Sequence, residues 1–223
     1  MLVDVLHFFP AMTKKNFRRT SSEYYYVTAR CLKKDWFELS LENVWDIFTN
    51  YLFFLKHAFR FEIFSFVLME NHFHLIVKTP EANLDRGMRY FLRETSCRLT
   101  RSAGRINQTY GAPYRYSVLK SQNSLYHTYK YVYRNPVEAG VVRNVEDYYF
   151  SSLHSLLGKS KAMIPLVEDF ILFSDPCQCL DWLNQGYPST DIKEQIRKAL
   201  KRKEFKFGRG RDSRENRLET QRV

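Results

Sequence analysis

The chain has 223 residues, of which 44% are hydrophobic and 16% aromatic, so it can bury the core of one good-sized domain or of a domain with an appendage. The formal net charge of +11 favours a polyanionic partner, nucleic acid before a membrane, because no basic amphipathic helix with a continuous apolar face stands out. No apolar run reaches the roughly 18–20 residues of a membrane span, and the apolar start at Met1–Pro10 lacks the basic segment of a secretory signal. We therefore expect a cytoplasmic protein without a membrane partner.

The first part of the chain predicts a strand followed by a helix. After a basic lead over residues 1–19, the run Glu23–Arg30 is rich in β-forming residues and predicts the first strand. The loop that follows makes Lys33 and Lys34 available to a phosphate backbone. Ser40 suits a helix N-cap, and apolar residues recur from Val44 to Leu55 with the spacing of a helix that packs on a sheet.

A β-hairpin is predicted next. The runs Phe61–Met69 and His72–Lys78 are rich in β formers and flank the polar break Glu70-Asn71. Because side chains alternate between the two faces of a strand, His72 and His74 share one face. Two imidazoles side by side on a rigid strand supply half of a metal site, although such a pair is more often structural.

A helix, a strand and another helix follow the hairpin. Apolar residues at helical spacing predict a helix over Leu84–Ala103, whose other face is rich in arginine. The alternating segment Arg115–Lys120 predicts a fourth strand. A third helix is predicted over Ser124–Arg134, ending before Pro136 because the residue that precedes a proline disfavours helical geometry.

This order of elements predicts an α+β fold, a ferredoxin-like or RRM-like antiparallel sheet with helices on one face. A basic, helical C-terminal extension is predicted over residues 158–207, where Ser189 suits the N-cap of a helix that continues through Leu200. From Lys193 to Val223, twelve Lys/Arg stand against five Asp/Glu, so most of the net positive charge lies at this end. Residues 208–223 have the composition of a disordered basic tail.

Two motifs carry a resemblance to a known family. They are Met69-Glu70-Asn71-His72-Phe73-His74 and, at 131–140, Tyr-Val-Tyr-Arg-Asn-Pro-Val-Glu-Ala-Gly. In this order they resemble the HUH single-tyrosine transposases, and most closely the REP-associated tyrosine transposase branch. The resemblance runs from about Arg19 to Leu157 and implies an HUH nuclease fold with a catalytic domain over residues 20–157. One departure is Glu70, where many relatives carry a proline or another small residue.

The resemblance also implies an activity. The protein would be a metal-dependent transposase or endonuclease that cleaves and rejoins single-stranded DNA at hairpin, REP-like palindromic sequences. Tyr131 would attack the DNA phosphate and form a 5′-phosphotyrosine intermediate. His72, His74 and Asn135, which lies one helical turn after Tyr131, would hold Mg²⁺ or Mn²⁺. A nucleoid-associated monomer or homodimer is expected.

Basic side chains on several predicted elements are expected to grip the DNA backbone, as Arg and Lys do in most protein–DNA complexes. This predicted set comprises Arg30, Lys33, Arg86, Arg89, Arg93, Arg115, Lys120 and Arg134.

Several alternatives stay open from the sequence. Tyr126, Tyr129 and Tyr133 crowd the same helix as Tyr131, and each suits a core position or a stacking platform for bases. Asn135 could simply cap the helix. The alternative function is a non-cleaving, basic DNA- or RNA-binding regulator on the same fold. A zinc hydrolase is remote, since no HExxH motif is visible.

Overall fold

The computed structural model describes residues 19–34, 36–106, 108–159, 164–168 and 176–207. The predicted basic lead, apart from Arg19, and the predicted disordered tail at 208–223 lie outside the described residues. Among the helices of these segments, none combines the length and hydropathy that a membrane crossing needs.

Four antiparallel strands form one sheet, and they are β1 (Tyr24–Arg30), β2 (Glu62–Leu68), β3 (His72–Lys78) and β4 (Arg115–Leu119). Their spatial order is β2-β3-β1-β4, and each neighbouring pair is antiparallel. Helix α1 (Leu41–Phe59) connects β1 to β2, and helix α2 (Leu84–Ser102) connects β3 to β4. This βαββαβ arrangement is ferredoxin-like, so the predicted fold class is confirmed.

Further helices follow the sheet. They are α3 (Gln122–Glu138), α4 (Ser152–Leu156), α5 (Pro176–Asn184) and α6 (Thr190–Leu200), with short 3₁₀ helices at Leu32–Lys34 and Val145–Asp147.

Serine side chains cap three of the longer helices. Ser40 accepts a hydrogen bond from the first turn of α1, as its position in the sequence predicted. Ser121 and Ser124 form a reciprocal capping box at the start of α3. Ser189 caps α6, so the predicted helix through Leu200 is confirmed.

Helices cover both faces of the sheet. On one face, Phe48 of α1 and Phe91 of α2 both contact Phe73 of β3. On the other face, α3 and α6 share a buried cluster with strand residues such as Ile76. The prediction that the helices lie on one face of the sheet therefore holds for α1 and α2. Helix α3 and the C-terminal extension cover the opposite face. Both faces can be covered because the central strands carry apolar side chains on both sides.

Helix α3 continues past Pro136 to Glu138, so the predicted end before the proline is wrong. A proline has no N–H, and the carbonyl four residues earlier therefore loses its intrahelical donor. Pro136 is buried, and the Asn135 side chain donates Nδ2–H to the Tyr131 carbonyl at 2.6 Å. The Ala139 N–H then bonds the Asn135 carbonyl at 3.0 Å. Packing thus overrides the local preference of the sequence.

Arg134 of α3 ties the C-terminal extension to the sheet domain. Its side chain is almost fully buried, and its guanidinium donates to Glu138 Oε1 at 2.8 and 3.0 Å. It also donates to the carbonyls of Leu183 and Asn184, at 3.0 and 2.8 Å, where α5 ends. Every one of these bonds is charge-assisted, so Arg134 fixes where the extension lies.

Replacing Arg134 by alanine should lower the free energy of unfolding by about 2–4 kcal/mol, because two carbonyls and a carboxylate lose their charged donor. Urea unfolding measures the loss, and limited proteolysis should cut first in the extension. The matched control is Arg143→Ala, which removes an exposed arginine and should change stability by less than about 0.5 kcal/mol. Equal stability of the two variants would contradict the anchoring role.

Candidate active site

The two histidines of β3 lie on the face of the sheet that α3 covers. Phe73 between them points to the other face and packs with Phe48 and Phe91. Across the sheet, His72 pairs with Arg30 and His74 pairs with Thr28 of β1. The imidazole centroids are 4.8 Å apart, so the strand holds both rings side by side, as the i, i+2 spacing predicted.

His74 is buried and is oriented by Tyr26, a residue that belongs to neither of the two sequence motifs. Its Nδ1 lies 2.7 Å from the Tyr26 hydroxyl on the neighbouring strand. Its Nε2 is buried and makes no hydrogen bond of ordinary geometry within the described part of the chain, and the Asn135 side chain lies close enough to oppose the lowering of the His74 pKa. If Nδ1–H donates to the Tyr26 oxygen, the Nε2 lone pair is free to bind a cation, which is how metal-binding histidines are usually held.

Among the tyrosines of α3, Tyr131 is the one that faces this pair. Its ring lies perpendicular to His74 with centroids 5.7 Å apart. Tyr129 and Tyr133 are fully buried and stack on each other within the core. Tyr126 packs against Trp182 of α5. The geometry therefore resolves the crowding of tyrosines in favour of Tyr131.

A single cleft of about 710 Å³ joins most of the predicted site residues. Those that line it are His72, His74, Tyr131, Asn135, Arg30, Lys33 and Arg115. They come from β1, β3, β4, α3 and the first 3₁₀ helix, so the fold gathers residues that are more than a hundred positions apart in the chain.

Other residues of the predicted DNA-binding set lie elsewhere. Arg86, Arg89 and Arg93 are exposed on α2, which packs on the sheet face opposite the histidines. Lys120 pairs with Glu204 at 2.9 Å. Arg134 is the one whose placement does not fit a phosphate contact, because it is buried and its donors are used within the protein.

Burial sets the protonation of the site. It lowers the pKa of His72 to about 4, with a further contribution from the positive charge of Arg30. It also lowers the pKa of His74 well below its ordinary value, together with the charges of His72 and Arg30. For Tyr131, burial raises the pKa of the phenol, while Arg197 and Arg30 oppose that shift. Both imidazoles are therefore neutral at neutral pH, which is the form that binds metal.

The donor set fits a divalent ion with oxygen and imidazole ligands. Among the described residues, no group of three or more His, Cys, Asp or Glu side chains lies together, so the site depends on the histidine pair and an amide. The Asn135 side chain donates its Nδ2–H to the Tyr131 carbonyl. The Asn135 amide oxygen therefore remains as a possible ligand atom. The unpartnered Nε2 of His74 points to the same conclusion.

Sequence reasoning missed Tyr26, and it expected the basic tail to grip DNA without naming which of its residues line the cleft. Tyr26 belongs to a run of β-forming tyrosines, and nothing local distinguishes it from its neighbours. Lys193, Arg197 and Lys201 of the C-terminal extension also line the cleft. Their spacing of four residues was a visible signal of one helical face, although it did not show which part of the protein that face meets.

Comparisons with known proteins identify the class of the fold. No protein-family model matches the chain. A solved structure of a REP-associated tyrosine transposase bound to a REP hairpin aligns with a TM-score of 0.54 and 21% identity, over 71% of this chain and 93% of that one. The fold is therefore the one found in HUH tyrosine transposases.

The sequence comparison is more particular. The REP-associated tyrosine transposase of Escherichia coli (strain K12) is 29% identical over 120 residues, which cover 54% of this chain and 71% of that protein. The chain is thus similar to REP-associated tyrosine transposases in sequence and in fold, as its two motifs predicted.

The Tyr26 hydroxyl should tune the metal affinity of His74. Tyr26→Phe keeps the ring and removes the bond to Nδ1, so Mn²⁺ affinity should fall about 10-fold, the lower end of the range for such outer contacts. Isothermal titration with Mn²⁺ measures the change. Tyr24→Phe on the same strand lies outside the cleft and should leave the affinity unchanged. Equal affinities would show that Tyr26 does not orient the ligand.

The metal-free protein should become less stable in mild acid, because the fold disfavours protonation of the His72 and His74 imidazoles. The folded state holds these histidines below their ordinary pKa of about 6.5, so the unfolded state binds more protons below that pH. The free energy of unfolding therefore falls as the pH decreases from about 6.5 towards 4, by at most about 1.4 kcal/mol per pH unit for each group.

Urea unfolding with a chelator, at about pH 7.5 and about pH 5, tests this linkage. The free energy of unfolding should fall less between these two pH values in the His72→Gln/His74→Gln double variant than in the unchanged protein. His57→Gln, at an exposed position of α1, serves as the control. Its free energy of unfolding should fall by the same amount as that of the unchanged protein. An identical pH dependence of all three proteins would refute the assignment of buried neutral imidazoles.

Proposed function

We propose that this protein is a divalent-metal-dependent transposase or endonuclease that cleaves and rejoins single-stranded DNA at hairpin sequences through a 5′-phosphotyrosine intermediate. The observation that carries the proposal is the position of Tyr131 beside His74, with ring centroids 5.7 Å apart, in a basic cleft that His72 also lines. The similar proteins, a REP-associated tyrosine transposase and one whose structure was solved with a bound REP hairpin, support the substrate class.

Tyr131 would act as the nucleophile. Its Oη attacks the phosphorus, a new P–Oη bond forms, the bond to the 3′ oxygen breaks, and the phenolic proton ends on the released 3′-OH. Because the phosphodiester energy is kept in the phosphotyrosine bond, a 3′-OH can reverse the step without ATP. The positive charges of Arg30 and Arg197 favour the phenolate that the attack requires.

His72, His74 and Asn135 would hold Mg²⁺ or Mn²⁺. The ion would neutralise negative charge on the phosphate and so assist an attack that charge repulsion otherwise resists. The protein's own part is to keep both imidazoles neutral by burial and to orient His74 through Tyr26. All of these side chains come from one chain, so a monomer is sufficient for the reaction.

The decisive experiment uses labelled single-stranded DNA that contains a hairpin. Incubated with Mn²⁺ and run on a denaturing gel, the unchanged protein should give a covalent protein–DNA adduct and a free 3′-OH product. Tyr131→Phe should abolish the adduct, because phenylalanine has no nucleophile. Tyr126→Phe, on the same helix but packed against Trp182, should retain it.

The outcomes separate the two functions that the sequence left open. His72→Ala and His74→Ala should lose the adduct together with Mn²⁺ binding while still binding DNA. If the unchanged protein binds the hairpin DNA but forms no adduct with any divalent metal, the protein is a non-cleaving binder and the transposase proposal fails.

A further inference from the structure

Helix α6 has two distinct faces. Ile196, Ala199 and Leu200 are buried in the core that also contains α3. Lys193, Arg197 and Lys201 stand four residues apart, so they form one stripe along the helix, and all three line the cleft. The helix therefore presents a row of cations to the space that Tyr131 and the histidines share.

The position of α6 is fixed by contacts at both ends. Ser189 caps its N-terminus through the Ile192 N–H. Lys193 Nζ lies 2.6 Å from Oε2 of Glu138, at the end of α3. The buried residues of the helix add apolar contact with α3. This attachment gives the cationic stripe a defined distance from the candidate nucleophile, which a flexible basic tail would not have.

Two of the three charges of this stripe, those of Arg197 and Lys201, are available to an anion. Among the described residues, Arg197 forms an ion pair with Glu194 on the same helix. The Arg197 side chain is exposed and that of Glu194 is partly exposed, so water screens the pair. Lys201 is exposed. On the other side of the cleft stand Arg30, Lys33 and Arg115. Glu138 is the acidic side chain among the described residues that line the cleft, and Lys193 and Arg134 already neutralise it.

We propose that α6 is a DNA-binding element of the cleft, in which Arg197 and Lys201 bind backbone phosphates of the single strand beside the phosphate that Tyr131 attacks. A basic groove that follows the backbone is the usual way in which proteins hold single-stranded DNA. The location beside the attacked phosphate depends on the proposed function. Phosphate binding by α6 does not, because it needs no cleavage.

The structure provides a matched pair of substitutions. Lys201→Gln removes a charge from the cleft, and Lys198→Gln removes the same charge from an exposed position of α6 that does not line the cleft. Arg197→Gln is a second cleft variant. Glu194→Gln removes the carboxylate that competes for Arg197 and should strengthen binding. Circular dichroism and urea midpoints verify that each variant is folded.

Binding is measured in a Tyr131→Phe background, by fluorescence anisotropy with a labelled single strand carrying a hairpin, over a series of salt concentrations. Lys201→Gln and Arg197→Gln should each weaken binding about 3- to 10-fold and reduce the slope of log K against log salt by about 0.7, the value for one lost phosphate contact on a single strand. Lys198→Gln should change the affinity by less than about 2-fold and leave the slope unchanged.

Two different failures can be told apart. If Lys201→Gln and Arg197→Gln both match Lys198→Gln in affinity and slope, α6 does not bind the strand, even if the unchanged protein forms the Tyr131 adduct. If the unchanged protein forms no adduct but the cleft variants still lose affinity relative to Lys198→Gln, the cleavage proposal fails and the DNA-binding role of α6 stands.

Discussion

The packing of α3 on the sheet is the constraint on which the candidate site depends. Tyr129 and Tyr133 are fully buried beneath this helix, and the Tyr133 hydroxyl lies 3.0 Å from Ser152 Oγ. Two large buried rings fix the rotation of the helix, because turning it by one residue would place them in water. That fixed rotation leaves Tyr131 facing His74, so the core of the protein determines which tyrosine can reach the imidazoles.

The same burial has opposite effects on the two kinds of group in the cleft. Removing water keeps His72 and His74 neutral, which prepares them as ligands. It also favours the neutral phenol of Tyr131, which is the unreactive form. Burial is the largest contribution in each case, and the positive charges around the cleft only partly offset it for Tyr131. If Tyr131 acts as the nucleophile, as proposed, further positive charge close to the phenol would favour its reactive form.

The local signals in the sequence predicted the strands and the caps at Ser40 and Ser189. The alternation of β3 was enough to place both histidines on one face. What failed depended on distant contacts. The end of α3 was misplaced because burial of Pro136 is a tertiary effect. Arg134 was assigned to DNA because an arginine in sequence carries no sign of the two carbonyls, 49 and 50 residues away, that it bonds. Tyr26 was missed because its role depends on the register between β1 and β3.

The C-terminal extension belongs to the cleft because one carboxylate links it to α3, the helix that carries Tyr131. Glu138 accepts from Arg134, which holds the end of α5, and from Lys193, which begins the cationic stripe of α6. These contacts keep the pKa of Glu138 below its ordinary value although burial opposes that shift. Glu138 lies two turns after Tyr131 on the same helix. The carboxylate that binds the extension therefore also lies at a fixed distance from the Tyr131 phenol. The same set of contacts therefore holds both the basic stripe and the helix that carries Tyr131.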